Sequence, residues 1–280
     1  MTGIASELDD GASEQVARAN ASGRVPVVFV HGLWLLPSSW HRWAELFAAE
    51  GYAPVSPGWP DNPGTNAHPE AFAYPTAGAV ADHYSEVISS LTLRPAVIGH
   101  SFGGLIAQVI AGRGESAVTV AIDAAPSRGV LPVPVSSLQP GSPGLGNPEG
   151  RHRAVPLTFE QFRSSFANAV SEAEGRQLYD AYAVPASGAP HFQTGTANLN
   201  PSTEARADTE NPDRGPLLIV SAEKDSTIPQ AVSMATYRLQ AKNPGVTEFT
   251  EIPGRGHALV IDSGWRDVAD TALGFIRRFT

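Results

Sequence analysis

Pro95-Ala96-Val97-Ile98-Gly99-His100-Ser101-Phe102-Gly103-Gly104-Leu105-Ile106-Ala107 decides the fold. Its first four residues are an apolar, β-rich run, and the residues from Phe102 onward read as a helix. Between them Gly99, Ser101 and Gly103 fit the G-x-S-x-G pattern of a nucleophile elbow, a strand–turn–helix motif. So tight a turn strains the serine backbone. A side chain two positions before or after the serine would collide with neighbouring chain, which is why glycine stands at both places. The serine oxygen then stands clear at the carboxyl end of a sheet. The helix that begins there aims N–H groups and its positive dipole end at any negative charge developing nearby.

Outward from this turn, the chain alternates strand-like and helix-like runs. Strands are expected at residues 25–30, 53–56, 96–99, 117–123, 217–221 and 248–252. Helices are expected at 37–50, 77–91, from 102, 229–241 and 263–279. Such alternation predicts an α/β fold with a doubly wound, mostly parallel sheet of about six strands. Residues 1–24 read as a polar tail with a short helix near 13–20. Residues 57–75 form a turn-rich loop.

The alternation breaks at residues 128–215. Prolines and glycines crowd 128–156, and 185–216 is again irregular. Between them, 158–169 carries Phe159, Phe162 and Phe166 on one helical stripe. The helix at 171–183 opens with Ser171 and Glu174, a capping-box pair. The block therefore reads as a loop- and helix-containing cap inserted between two strands, with 25–127 and 216–280 as the core. Pro140 to Pro148 and Pro185 to Pro190 could let it shift.

The composition narrows the function. With 280 residues, 42% of them hydrophobic and 17% charged, the chain can bury one large core. A net charge of −9 argues against nucleic-acid or anionic-membrane partners. The absence of cysteine excludes disulfides, thiolate metal sites and a cysteine nucleophile. No apolar leader segment opens the sequence and no run is long enough to span a membrane, so a cytoplasmic location is expected. No phosphate loop and no metal-ligand cluster is evident, so neither cofactor nor metal is expected. The oligomeric state stays open.

The elbow, the His31-Gly32 turn after the first clear strand, and a late Asp and His together resemble the α/β-hydrolase superfamily. The resemblance is to its serine-nucleophile branch, among small bacterial esterase- or lipase-like hydrolases, where the phrases His31-Gly32-Leu33-Trp34 and Gly58-Trp59-Pro60 also fit. It covers nearly the whole chain after Arg24, and the order Ser, Asp, His is the superfamily's own. It implies Ser101 as nucleophile, Asp225 as orienting acid and His257 as base. Local sequence agrees: His257 follows Gly254-Arg255-Gly256 after the last strand, and Asp225 ends the loop after 217–221. Asp123, at the end of the strand after the elbow helix, is the competing acid. The resemblance also places the oxyanion hole at the backbone N–H groups of Phe102 and Leu33. Trp34 is an alternative second donor, a wall of the acyl pocket, or core packing. Phe162 and Phe166 either dock the cap or line an apolar substrate pocket. Two departures from the superfamily's common pattern are expected: the residues before Val25 read as too few and too polar for the usual leading β-hairpin, and the cap reads as proline- and loop-rich rather than a tidy helical lid.

The expected activity is serine hydrolysis of a carboxylic ester or lactone of a small to medium apolar compound, through an acyl-enzyme. C–C hydrolysis of a β-diketone-like or ring-cleavage product would use the same three residues. A non-catalytic receptor on this fold is the reading of another class.

Overall fold

A computed structural model describes residues 11–60, 75–131 and 154–280. The expected loop at 57–75, the proline- and glycine-rich run at 128–156, and the Pro140 to Pro148 stretch fall partly or wholly outside the described residues, as do residues 1–10.

One sheet organises the molecule. Its strands are β1 (Pro26–Val30), β2 (Ala53–Val55), β3 (Ala96–His100), β4 (Val118–Ile122), β7 (Leu217–Ala222) and β8 (Thr247–Ile252). They lie in the order β2-β1-β3-β4-β7-β8, and every pairing is parallel. Strands β1, β3, β4 and β7 are buried at every position. This is why they read as continuous apolar runs: helices cover both faces of the sheet. Edge strand β8, Thr-Glu-Phe-Thr-Glu-Ile, carries charge and is only partly buried, which discourages edge-to-edge pairing with other chains.

The helices of the core are α1 (Ala12–Ser22), α2 (His41–Ala49), α3 (Ala77–Ser89), α4 (Phe102–Gly112), α8 (Gln230–Gln240) and α9 (Trp265–Ile276). Helix α4 follows the elbow and is buried at every residue. Its one long polar side chain, Gln108, is satisfied: it donates to the Gly104 carbonyl at 3.2 Å and accepts from Gln240 at 3.0 Å. Helix α1 changes the picture of residues 12–22. Its Gln15 side chain accepts the Ser56 N–H at 2.7 Å, and Val16 and Ala19 are buried. The segment reads as polar because only a narrow stripe of it meets the core.

A helical insertion separates β4 from β7. It contains a two-stranded antiparallel ribbon, β5 (Ala154–Val155) with β6 (Ala186–Ser187), and helices α5 (Phe159–Ser165), α6 (Glu172–Tyr182) and α7 (Gly188–Gly195). Three expectations need correction here. Helix α5 ends at Ser165, short of 169. Its start is a full capping box, Thr158 with Gln161. The Ser171–Glu174 pair is only half of one: Ser171 caps the Glu174 N–H, but the Glu174 carboxylate accepts the Ser263 N–H at 2.7 Å instead. Finally, α7 forms within the stretch expected to be irregular. Pro190 sits in its first turn, where a missing N–H costs no helical hydrogen bond.

Leaving β1, the chain runs outward to β2 and then returns to β3 on the other side. The reversal falls between β1 and β3, and in open α/β sheets the ligand crevice lies at the carboxyl ends of strands at such a point. His31-Gly32 follows β1 there, and Ser101 follows β3.

Candidate active site

Ser101 has φ 57° and ψ −121°, a strained conformation for a residue with a side chain. Hydrogen bonds hold it there: its N–H donates to Ile122 and its carbonyl accepts from Ala125, each at 2.9 Å. The glycines of the elbow are required by close approach. A Cβ on Gly99 would lie 2.0 Å from the Gly103 carbonyl oxygen, and one on Gly103 would lie 2.1 Å from that of Val30. The His31-Gly32 turn abuts the serine directly, since a Cβ on Gly32 would meet Ser101 Cβ at 3.0 Å.

Three of the residues singled out from sequence meet in one chain of hydrogen bonds. His257 Nε2 lies 2.9 Å from Ser101 Oγ, and His257 Nδ1 lies 2.6 Å from Asp225 Oδ2. The other Asp225 oxygen accepts the N–H groups of Thr227, at 2.6 Å, and Ile228, at 2.8 Å. Asp225, not Asp123, is thus the residue bonded to the imidazole. Asp123 is nevertheless beside them. It is buried, has φ 40°, and accepts the Ala222 N–H at 2.8 Å. One ligating atom each from Asp123, Asp225 and His257 lies within 4.8 Å of the others. A metal would suit this trio poorly: the 2.6 Å bond to Asp225 keeps a proton on His257 Nδ1, and a protonated nitrogen has no lone pair to give.

Burial governs the electrostatics. It holds the His257 imidazole down, at about 4. The ring is therefore neutral across the physiological range, with Nε2 free to accept the serine proton. Burial raises the Asp225 carboxyl above its ordinary range, opposed by the neighbouring Asp123 and by the Ile228 and Thr227 N–H groups that it accepts. Burial, then the neighbouring Asp225, lifts Asp123 well above the carboxylate range. His31 is also held neutral by burial, at about 4. It bonds the Gly32 carbonyl and stacks on Trp59, which packs against Phe102.

The insertion reaches this site, and it does so by gripping the two loops that carry Asp225 and His257. Phe166 accepts the Ala258 N–H through its carbonyl at 2.9 Å, and its ring meets the His257 ring edge-on at 4.7 Å between centroids. Ser165 accepts the Thr227 hydroxyl at 2.8 Å, and Asn168 donates to the Lys224 carbonyl at 2.7 Å. These ties were not foreseen from sequence, because backbone carbonyls carry no residue signature. Phe162 is fully covered, stacked on Phe166 and against Tyr179. Phe166, 2% exposed, packs on the His257 imidazole as well as on Phe162. Trp34 has φ 61° and joins core to insertion: its Nε1 donates to the Val155 carbonyl at 2.9 Å, and its carbonyl accepts the Val184 N–H at 3.1 Å. Glu223 and Asp262 have local duties, accepting the N–H groups of Gly254 and Gly264.

Fold and site together define an α/β hydrolase. The sequence matches the model of the alpha/beta hydrolase family over residues 27–271, and the chain belongs to that family. No curated protein matches the sequence. Among solved structures it resembles a monoacylglycerol lipase of Paleococcus ferrophilus, at 19% identity and TM-score 0.64, covering 91% of this chain and 95% of the lipase. It also resembles an extracellular α/β-hydrolase of a Paenibacillus species, at 20% identity and TM-score 0.61, covering 89% and 98%. A third is polyneuridine aldehyde esterase, at 18% identity and TM-score 0.62, covering 90% and 99%. Identities this low speak to the fold alone. Among the described residues no helix is long and apolar enough to cross a membrane.

Proposed function

We propose that this α/β hydrolase cleaves carboxylic esters or lactones of small to medium apolar compounds through an acyl-enzyme on Ser101. The observation that carries the reading is the single imidazole bridging Ser101 Oγ and Asp225 Oδ2. A serine hydroxyl is a weak nucleophile until a base takes its proton. His257 Nε2 takes it as Ser101 Oγ bonds to the acyl carbon. Asp225 fixes the tautomer with the proton on Nδ1 and stabilises the imidazolium that forms. The N–H groups of Phe102 and Leu33 receive the oxyanion. The Phe102 N–H opens α4 and has no acceptor within the helix, which also brings its dipole to bear. Collapse of the tetrahedral intermediate passes the His257 proton to the departing alcohol. Water, deprotonated by the same imidazole, then releases the acid and restores Ser101. The carboxyl ends of β1 and β3 suit a small-molecule substrate, and residues 128–215 are read as a cap inserted between two strands of the core. The names of the lipase and the esterase that share this fold favour ester substrates.

A panel of short p-nitrophenyl esters, lactones and vinylogous diketones tests the proposal. Turnover of esters or lactones, lost in Ser101→Ala, is expected. Turnover of diketones alone would redirect the reading to C–C hydrolysis, and binding without turnover of any of them would make the protein a receptor.

A further inference from the structure

Asp123 is a buried carboxyl group that the reaction above does not use. One of its oxygens accepts the Ala222 N–H; the other, Oδ2, is buried and receives no hydrogen bond from an N–H or O–H group. Its carboxyl group lies beside that of Asp225, with an oxygen of each within 4.8 Å of the other. Two carboxylates cannot hydrogen-bond each other, because both only accept. Buried side by side they would also repel at close range, which is the condition under which a pair of acids keeps a proton between them. We propose that Asp123 Oδ2 carries a proton at neutral pH and donates it in a hydrogen bond to the Asp225 carboxylate, making Asp123 a positioning residue for the Asp225–His257 pair.

The hydrogen-bond inventory says which member of the pair holds the proton. Asp225 faces two backbone N–H groups and the imidazole Nδ1–H, three donors that favour its ionised form. Asp123 has one backbone donor. The charged or titratable groups acting on Asp123 are Asp225 and His257; of these only Asp225, as carboxylate, presents a strong acceptor. A neutral Asp123 answers two needs at once. Its orphaned Oδ2 gains a partner, and Asp225 gains another fixed donor that keeps its second oxygen aimed at His257. Its backbone is committed as firmly: φ is 40°, and the N–H donates to Val220 at 2.9 Å across the sheet. Asp123 therefore does not swing to the imidazole and is no substitute for Asp225.

The inference rests on the hydrolase reading for its kinetic consequence but not for its direct test. Infrared difference spectra of the wild-type protein against Asp123→Asn at neutral pH, in H2O and D2O, should contain a protonated-carboxyl C=O band that shifts in D2O and is lost in the variant. Absence of that band overturns the proposal whether or not the protein is a hydrolase. Stability supplies a second readout. An unfolded Asp releases its proton near pH 3.9, while folded Asp123 keeps it, so above that pH the folded state binds more protons and wild-type stability falls as pH rises. The unfolding free energy of Asp123→Asn relative to wild type should therefore climb with pH above about 4; a pH-independent difference contradicts the proposal. For placement of the proton, kcat/KM should fall about tenfold further in Asp123→Ala, which cannot donate, than in Asp123→Asn, whose amide can, and should fall about a thousandfold in Asp225→Asn. A larger loss in Asp123→Asn than in Asp225→Asn would put the proton on Asp225 and refute the assignment.

Discussion

Ser101 and His257 reach each other because of backbone, not because of reach. The serine is held at φ 57° by hydrogen bonds on both sides of its peptide, so Oγ is presented at one fixed place. His257 is buried, and its ring is confined by Phe166 on one side and His100 on another, each 4.7 Å away between centroids. Such confinement lowers the cost of orienting the base, and burial keeps the base neutral. The pH dependence follows from the second effect. General-base action needs uncharged imidazole, which an ordinary histidine supplies only above about 6.5. With His257 held at about 4, the acid limb of kcat/KM should lie well below the ordinary histidine range. A profile half-maximal at pH 6.5 or higher would contradict the burial argument. At this scale much was legible from sequence. Ser101 sits in a five-residue pattern, and His257 follows a glycine-rich turn. The choice between Asp225 and Asp123 was harder, because both end strands on the same edge of the sheet and only three-dimensional reach separates them. The part Asp123 takes beside Asp225 was not legible at all, since a protonated acid looks like any other Asp in sequence.

At the scale of elements, the strand–turn–helix from β3 to α4 was the most readable unit. Glycines are placed there by clashes of 2.0 and 2.1 Å that any side chain would incur, so sequence and geometry carry the same information. All six strands were also visible: β1, β3, β4 and β7 are covered on both faces and read as apolar runs, and edge strands β2 and β8 show by their place in the alternation. The insertion was less readable. Helices α5 and α7 span only 7 and 8 residues, so periodicity has little length over which to express itself. Helix α5 is the case in point: the aromatic stripe was seen, but whether it faces a ligand or the core depends on what packs against it. The structure places Phe162 within the insertion's own aromatic cluster and Phe166 on the imidazole. Phe162→Ala should accordingly cost about 3–5 kcal/mol of stability, with chain-length preference among esters unchanged. Phe166→Ala should lower stability comparably and also lower kcat, because the His257 ring loses a wall. Chemical denaturation and a chain-length series check both variants. A shift of chain-length preference in Phe162→Ala at near-normal stability would show instead that its ring meets substrate.

The whole molecule is a sheet with one reversal of direction, between β1 and β3, and its carboxyl edge gathers four loops. The loop after β1 sets Gly32 against the serine, the turn after β3 carries Ser101, and the loops after β7 and β8 bring Asp225 and His257 across to meet it. The insertion between β4 and β7 then ties the last two loops together through Ser165, Phe166 and Asn168. This arrangement explains why the chain could be read as α/β from alternation alone, yet its insertion only outlined: the core repeats one rule of packing, while the insertion follows the local needs of the loops beneath it. It also makes one residue the point on which the account stands. Treatment with a serine-directed organophosphate, followed by peptide mass spectrometry, locates the activated hydroxyl directly. The account predicts a single adduct on Ser101, absent from a folded Ser101→Ala protein whose kcat has fallen by about a thousandfold or more. An adduct on another residue, together with an active Ser101→Ala protein, would contradict it.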